Sequence, residues 1–463
     1  MKTICIAGAG TYGSYIANAI AEKYPNQKIL LLETGNEHIQ SEAEIGFLST
    51  LKKGMYNAAT AGRYFGLGGT SARWGGQLLF FTDNDCPNDA AMNALKEINK
   101  VYRAAVLQRF FKTAPLLPEI TLKNELFIKT GIWLQFNKRN LFNLFALKKK
   151  ANIEIRKNCR VLSIHKTGTR VDSITILNNK KEEELKADIF YICCGALETM
   201  RLLAVSGFYN LAATTHGFAD HVSLRCFRIN SSNTFLAGHN FQYRFTGKSL
   251  ITSRIIGEVE GVHFYMQPVF NERFVFFQVL KGLLIKGQFS FKQALLALKQ
   301  VFHLFPFVVE YVFKKKLYVY KDWDINIDIE LDKADNQLSL TDQKDAFGAS
   351  GVAINFEIPE TTKQKIATAK QRIQQLLQDE AIAYTSLGET TSALKLEDTY
   401  HPYALYPEAM PFEERYHPAE NMYVLHTGLL NRAGGINPTA VLFCQAEHHI
   451  AAELPAHLNT MAE

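Results

Sequence analysis

The sequence predicts an α/β protein that opens with a Rossmann-like unit and continues into a largely antiparallel sheet with helices on one face. Three observations lead there. The chain has 463 residues, too many for one ordinary core and suited to two domains. A glycine-punctuated strand–helix–strand pattern opens it. From about residue 222, apolar and polar residues alternate with a period of two over several successive runs.

Composition bounds the class. Apolar residues make up 47% and charged residues 21%, as in a globular protein. The formal charge of +6 comes from 51 basic and 45 acidic residues, a mild excess that gives no reason to expect nucleic acid as a partner. Met1-Lys2-Thr3 runs directly into an apolar stretch without the pattern of a signal peptide. No uninterrupted apolar run approaches the roughly 18 residues of a membrane span. The seven cysteines are odd in number and lack metal-type spacing, so reduced, buried thiols, no metal and a cytoplasmic setting are expected.

Taken in order, Thr3–Ala7 is a short apolar run without alternation, as in a strand buried on both faces of a parallel sheet. Ser14 to Tyr24 places Tyr15, Ile16, Ala19 and Ile20 on one helical face, and Pro25-Asn26 ends it. Lys28 to Glu33 is a second buried strand. Residues 91–150 read as mainly helical and irregular. Asn152–Ile164 and Arg170–Leu177 read as paired strands around Thr167-Gly168, and Ile189–Cys194 as another buried strand. The alternating runs are 223–229, 241–246, 251–256, 262–270, 325–331, 338–341 and 352–358. A helix follows with Ile366, Ala369, Ile373, Leu376 and Leu377 at helical spacing, and a last helix spans about Thr439 to Leu454.

Gly8, Gly10 and Gly13 form G-x-G-x-x-G between the first strand and helix. The first glycine permits the tight turn, the second lets backbone approach a pyrophosphate, and the third lets helix and strand pack closely. The helix N-terminus then offers N–H groups to phosphate. Glu33 closes the second strand 20 residues after Gly13, where an acid hydrogen-bonds ribose. This predicts a dinucleotide site and leaves FAD and NAD both open. A second cluster, Arg63 to Gln77, includes Gly66, Gly68, Gly69, Thr70 and Ser71, a loop with exposed backbone donors able to lie against a diphosphate or ring edge.

With these motifs in hand, the sequence resembles the glucose–methanol–choline (GMC) oxidoreductase family over nearly its whole length. Gly8–Gly13 with Leu32-Glu33-Thr34-Gly35 is similar to the family's FAD fingerprint, and Gly66–Ser71 to its glycine loop at the flavin. Asn152–Ile164 is similar to the segment whose backbone, near Val161, meets adenine. Gly195-Ala196-Leu197-Glu198-Thr199, with Leu202-Leu203 and Ser206-Gly207, resembles the second signature. Asp220-His221 matches an Asp-His pair before the substrate domain. Gly434-Gly435-Ile436-Asn437-Pro438-Thr439 resembles the closing motif at the flavin ring. The resemblance implies an FAD-binding domain made of 1–90, 151–222 and 398–463. It implies an inserted, mostly antiparallel substrate domain with connecting helices from 91–150 and 223–397. Arg73 stands where some relatives carry a histidine bonded to flavin, so FAD is expected to be non-covalent.

The implied chemistry is hydride transfer from a CH–OH group, on a sugar or sugar-like alcohol, to FAD. His401 is the candidate general base, although the Gly-Thr that follows the family's histidine is absent after it. Asn437 is the candidate hydrogen-bond donor to the alcohol oxygen, and also suits a helix cap. His426 is the next candidate; His448 and His449 read as structural. A lyase or decarboxylase of the same fold is the alternative. The sequence carries no signal that chooses the electron acceptor. Finally, Phe274 to Lys316 interleaves phenylalanines and lysines, with Leu295, Leu298, Phe302 and Phe305 on one helical face and Pro306 expected to bend or end that helix. It reads either as a helical cover over the sheet or as a face for a membrane interface or lipid-linked substrate.

Overall fold

The computed structural model describes the chain apart from residues 55, 57–60, 87–88, 112–117, 242, 247–248, 272–278, 280–289, 300–303, 317–322, 389–396, 399 and 460–463. Thr3–Ala7 lacks alternation because both of its faces are covered. It lies at the centre of a five-stranded parallel sheet in the order Met422–Val424, Ile189–Ile192, Thr3–Ala7, Lys28–Leu32, Ile153–Arg156. Ile4, Ile6, Ile29 and Leu31 are fully buried. The helix Thr11–Lys23 follows the glycine turn, and Tyr15 on it stacks on Phe443 of the helix Thr439–His448 with centroids 4.3 Å apart. The Tyr15 hydroxyl, buried by that stack, donates to Glu447 at 2.6 Å, which meets the requirement that a buried phenol find a partner.

The expected strand Asn152–Ile164 is in fact two. Ile153–Arg156 joins the edge of the parallel sheet, whereas Cys159–Thr167 pairs antiparallel with Arg170–Asn178. Asn158 between them has φ +50°, a left-handed conformation that redirects the chain. The turn at Gly168 is as expected.

The period-two runs before residue 332 build a ten-stranded sheet among the described residues, whereas the runs 338–341 and 352–358 fall in a separate three-stranded sheet. The main path of the ten-stranded sheet is Tyr384–Ser386, His221–Ile229, Trp323–Glu330, Val262–Phe270, Ser249–Val259, Phe127–Trp133, Gln77–Leu78. The strand Phe127–Trp133 lies inside the region expected to be helical and irregular; the helix Ala90–Phe110 precedes it. Two strands from the first 90 residues also pair outward: Ser49–Gly54 runs parallel to Ser350–Phe356, and Gln77–Leu78 pairs with Phe127–Trp133.

Register sorts this sheet into two unlike faces. Phe264 stands opposite Ile329, Met266 opposite Ile327, and Phe227 opposite Ile325. The helix Glu360–Asp379 covers this apolar side, with Ile366, Ile373 and Leu377 buried and Arg372 and Lys370 over Phe264 and Phe227. The other side carries His221 opposite Glu330, Ser223 opposite Asp328, Tyr265 opposite Asp328, and Arg254 opposite Lys129. Alternation had implied a half-buried sheet, yet Asp324, Asp328 and Glu330 are all buried.

Phe291–Lys299 and Leu304–Lys314 are separate helices. Pro306 does not end a helix; it lies in the first turn of the second, where a missing N–H leaves nothing unpaired. Phe274, Phe276, Phe277, Phe289 and Phe302 lie outside the described residues. Among the described residues no helix is long and apolar enough to cross a membrane. All seven cysteines are free, and Cys194 alone is not fully buried.

Candidate active site

The glycine motifs converge beyond the carboxyl ends of the parallel strands, where open α/β sheets bind ligands. The three fingerprint glycines divide into two kinds. A Cβ on Gly8 would lie 2.5 Å from the Cys193 carbonyl oxygen, and one on Gly13 1.8 Å from the Gly8 carbonyl oxygen. These positions exclude a side chain by close packing. A Cβ on Gly10 would meet nothing within 4 Å, so its backbone borders open space. That space lies at the N-terminus of the 13-residue helix Thr11–Lys23, which has no side-chain cap and no acid in its first turn. The arrangement fits a pyrophosphate.

Glu33 holds this region together. Its buried carboxylate accepts from the N–H groups of Ala9, Gly35 and Gly66, each at 2.9 Å. Burial raises its pKa, opposed by those three donors. Glu33 therefore ties the fingerprint to the second glycine cluster, in addition to standing where ribose is expected. Gly68 N–H donates to the Ala9 carbonyl at 2.9 Å, and a Cβ on Gly69 would come within 2.9 Å of Gly10 Cα. Thr70 accepts from Tyr64 N–H, and the Ser71 hydroxyl donates to the Gly68 carbonyl. Val161, buried, lies at a β-bulge in a strand whose first residue, Cys159, donates to the Glu33 carbonyl. Gly195, with φ +82°, opens the helix Ala196–Val205, and it too borders open space. In that helix Glu198 is buried; burial alone would raise its pKa, but Arg201 and Arg160 outweigh it and hold the carboxyl at about 2.

The closing motif reaches the same place. The Tyr12 hydroxyl, from the fingerprint, donates to the Thr439 carbonyl at 3.4 Å. Asn437 Oδ1 accepts from Thr439 N–H at 3.2 Å and from its hydroxyl at 2.8 Å. Asn437 stands one residue before the N-cap Pro438 and bonds the first residue of the helix, Thr439, while its amide nitrogen remains a donor by chemistry. Gly435 is pressed against Ile256 of the antiparallel sheet: a Cβ there would lie 2.2 Å from Ile256 Cγ2.

His401 meets the Asp-His pair. Its backbone N–H donates to both Asp220 oxygens, at 2.9 and 2.8 Å, and Asp220 also accepts from the Tyr56 hydroxyl. One side-chain ligand atom each from Asp220, His221 and His401 lies within 4.8 Å of the others. His401 keeps part of its surface open. Enclosure of the rest, with His221 and Arg254 nearby, pushes its imidazole down to about 3. His221 is buried, and its Nε2 lies 2.8 Å from the Gly434 carbonyl; a carbonyl can only accept, so Nε2 carries the proton. Burial pushes this imidazole down to about 4. His426 is buried elsewhere, with Nε2 3.3 Å from the Tyr406 hydroxyl and its ring beneath Gly428.

The polar sheet face supplies groups that sequence reasoning missed. Glu330 accepts from Ala433 N–H at 3.1 Å, from Gly434 N–H and His263 N–H at 2.8 Å, and from Arg432. Burial opposes its charge, yet Arg432 and then His263 hold the carboxyl down to about 2. Arg254 donates to Gln77 Oε1 at 2.6 Å and lies 4.3 Å from the Tyr265 ring centre, while its Nε and Nη1 have no hydrogen-bond partner among the described residues. Burial pushes Asp328 up to about 6. The available signal was the alternation of Trp323–Glu330, which places Asp324, Asn326, Asp328 and Glu330 together on one face.

No protein-family model matches the sequence, and no match was found among curated proteins. Solved structures do match. Pyridoxine 4-oxidase from Mesorbium loti aligns over 98% of this chain and 99% of that one, with a TM-score of 0.58 and 12% identity. Formate oxidase from Aspergillus oryzae RIB40, in a structure concerned with its FAD modification, aligns over 98% and 99%, with a TM-score of 0.56 and 12% identity. At this identity the likeness is one of fold: this chain shares the whole architecture of these two oxidases, the parallel sheet and the antiparallel one together.

Proposed function

We propose that this protein is an enzyme that binds FAD non-covalently and oxidises a CH–OH group of a sugar-like alcohol, with His401 as the proton acceptor. The observation that carries the proposal is the convergence of the fingerprint, the second glycine cluster and the closing loop on the open space at Gly10. His221 holds that loop at Gly434, and His401 joins the same cluster through Asp220. Two oxidases of the same fold, one of them associated by name with FAD, favour the same chemistry. Gly10, Gly68, Gly69 and the helix starting at Thr11 would hold the diphosphate, Glu33 and Val161 the adenosine side, and the Asn437–Thr439 segment the ring side. FAD, when bound, supplies the hydride acceptor. A neutral His401 ring nitrogen takes the hydroxyl proton, and the Asn437 amide donates to the substrate oxygen. His221 acts by position, through Gly434. Arg73, where some relatives of the resembling family carry a linking histidine, motivates the non-covalent assignment.

The test is anaerobic flavin reduction by purified protein against sugars, glycosides and long-chain alcohols, after acid precipitation has shown whether flavin is released. Released FAD, bleached by an alcohol, is expected. His401→Ala and Asn437→Ala should retain flavin and slow its reduction, the base variant by roughly 100- to 10,000-fold. FAD that no alcohol bleaches would favour a lyase or decarboxylase, and protein purified with NAD would overturn the cofactor.

A further inference from the structure

The helices Phe291–Lys299 and Leu304–Lys314 are apolar on the side that faces outward. Phe291, Leu295 and Leu298, at i, i+4 and i+7, are 76%, 50% and 66% exposed. In the second helix Phe305, Val308 and Val312, at i, i+3 and i+7, also share a face and are 71%, 55% and 50% exposed, and Phe313 reaches 78%. Among the residues of these helices whose burial is described, Ala297 is the buried one. A helix covering a core does the reverse, putting bulk inside and small or polar residues in water. Isolated exposed apolar residues need no explanation, but a stripe of them on each of two helices does.

Charge selects the occupant. Residues 291–316 contain five lysines, at 292, 299, 314, 315 and 316, against the single acid Glu310. Lys292, Lys299 and Lys315 are exposed beside the apolar stripe. Leucine and phenylalanine flanked by lysine is the composition of a helix lying in a lipid headgroup region. Neither helix is long and apolar enough to cross a bilayer. The pair is also anchored to the sheet that carries the candidate site: Phe245 N–H donates to the Lys315 carbonyl at 2.7 Å, and the Phe245 and Tyr311 rings meet edge to face. Arg244–Thr246 pairs with Ser249–Val259, the strand that bears Arg254 and Ile256. From Ile251 to Ile256 is about 17 Å along a strand.

We infer that these two helices form a peripheral docking face for an anionic lipid bilayer. The face works by inserting Phe291, Leu298, Phe305 and Phe313 at headgroup depth while the lysines meet lipid phosphate. It brings the protein to a surface where an amphiphilic alcohol would be concentrated. Docking itself does not depend on the proposed redox chemistry and is measured without it.

The experiment is sedimentation of the full-length protein with phosphatidylcholine vesicles, with and without phosphatidylglycerol. Binding is expected with phosphatidylglycerol at low salt, weakening as salt rises. Replacing Lys292, Lys299 and Lys315 by Glu should reduce partitioning by more than about fivefold per position. Replacing Phe291, Leu298, Phe305 and Phe313 by Ser should abolish it while leaving the thermal midpoint near the parent's, since these side chains are already exposed. No sedimentation at low salt, equal binding to phosphatidylcholine alone, or insensitivity to both variants would each overturn the proposal. A concentration-dependent dimer lost in the serine variant, without vesicle binding, would assign the face to a second copy of the chain instead.

Discussion

His221 and Glu330 stand directly opposite each other on neighbouring antiparallel strands and grip the same residue, Gly434, from its two sides. His221 donates to the Gly434 carbonyl, and Glu330 accepts from its N–H. One cross-strand pair of the antiparallel sheet thereby fixes the loop that leads to Asn437. Removing the negative charge should loosen that loop. Glu330→Gln leaves Arg432 without its counterion and presents an amide where three backbone donors point. A cost of about 3 kcal/mol is expected, at the low end for a buried pair because Arg432 is a quarter exposed. Urea unfolding measures it, and an unchanged midpoint would show that Gly434 does not depend on Glu330.

Glu33 makes a different junction, between two glycine clusters. Glu33→Ala removes an acceptor from three buried backbone N–H groups. Each orphaned group costs about 1–3 kcal/mol, so the variant should unfold well below the parent and purify with less bound FAD. Flavin absorbance per polypeptide is the readout. Full occupancy in Glu33→Ala would mean that the clasp is dispensable.

Arg254 combines burial with two N–H positions unpartnered among the described residues. A buried cation so poorly paired is costly. Arg254→Met should therefore fold with a thermal midpoint equal to or above that of the parent. If Arg254 serves the site beside Gln77 and His401, the same variant should reduce its flavin more slowly. A clear fall in the midpoint would instead make Arg254 a structural residue.

The buried histidines predict acid sensitivity with a definite sign. Burial lowers the imidazoles of His221, His401 and His426 to about 4, 3 and 3, below the ordinary value of 6.5. As pH falls from 6.5 toward 4, the unfolded chain binds protons that the folded chain refuses, so stability declines. Asp328 acts oppositely, since its folded pKa of about 6 lies above the ordinary 3.8. It offsets one of the three imidazoles, so these four groups together take up about two protons on unfolding near pH 5, and buried His449, also lowered, adds in the same direction. The slope of unfolding free energy against pH measures this number, and His426→Asn should reduce it by about one. A flat profile between pH 6.5 and 5 would contradict the burial of these rings.

The sequence made the parallel sheet legible because glycine turns and doubly buried strands leave local marks. Gly8, Gly13 and Gly195 each stand where a turn or close approach demands them. Phe127–Trp133 was not legible: among the described residues its only neighbour in sequence is the two-residue strand Ile120–Thr121, and its long partner, Ser249–Val259, lies more than 100 residues away. The split at Asn158 was hidden for a similar reason, since a single left-handed residue interrupts an otherwise continuous β-pattern. Alternation over 325–331 marked a strand, but it could not say that the face carrying Asp328 and Glu330 is buried, with Glu330 meeting the Ala433-Gly434 backbone rather than water. The convergence of His401 on Asp220 depends on contacts 181 residues apart, which no local pattern encodes.

The parallel sheet is assembled from distant stretches of chain: Thr3–Ala7 is flanked by Ile189–Ile192, and the sheet is completed only by Met422–Val424. During synthesis the first strand must therefore wait for nearly the whole polypeptide before its sheet can close. Such a topology makes folding slow and leaves the nascent N-terminal half exposed to misassociation. It also couples the halves of the molecule covalently as well as spatially. A chain truncated before Met422 would lose an edge strand, the Gly434 loop and the helix that stacks on Tyr15 in a single cut.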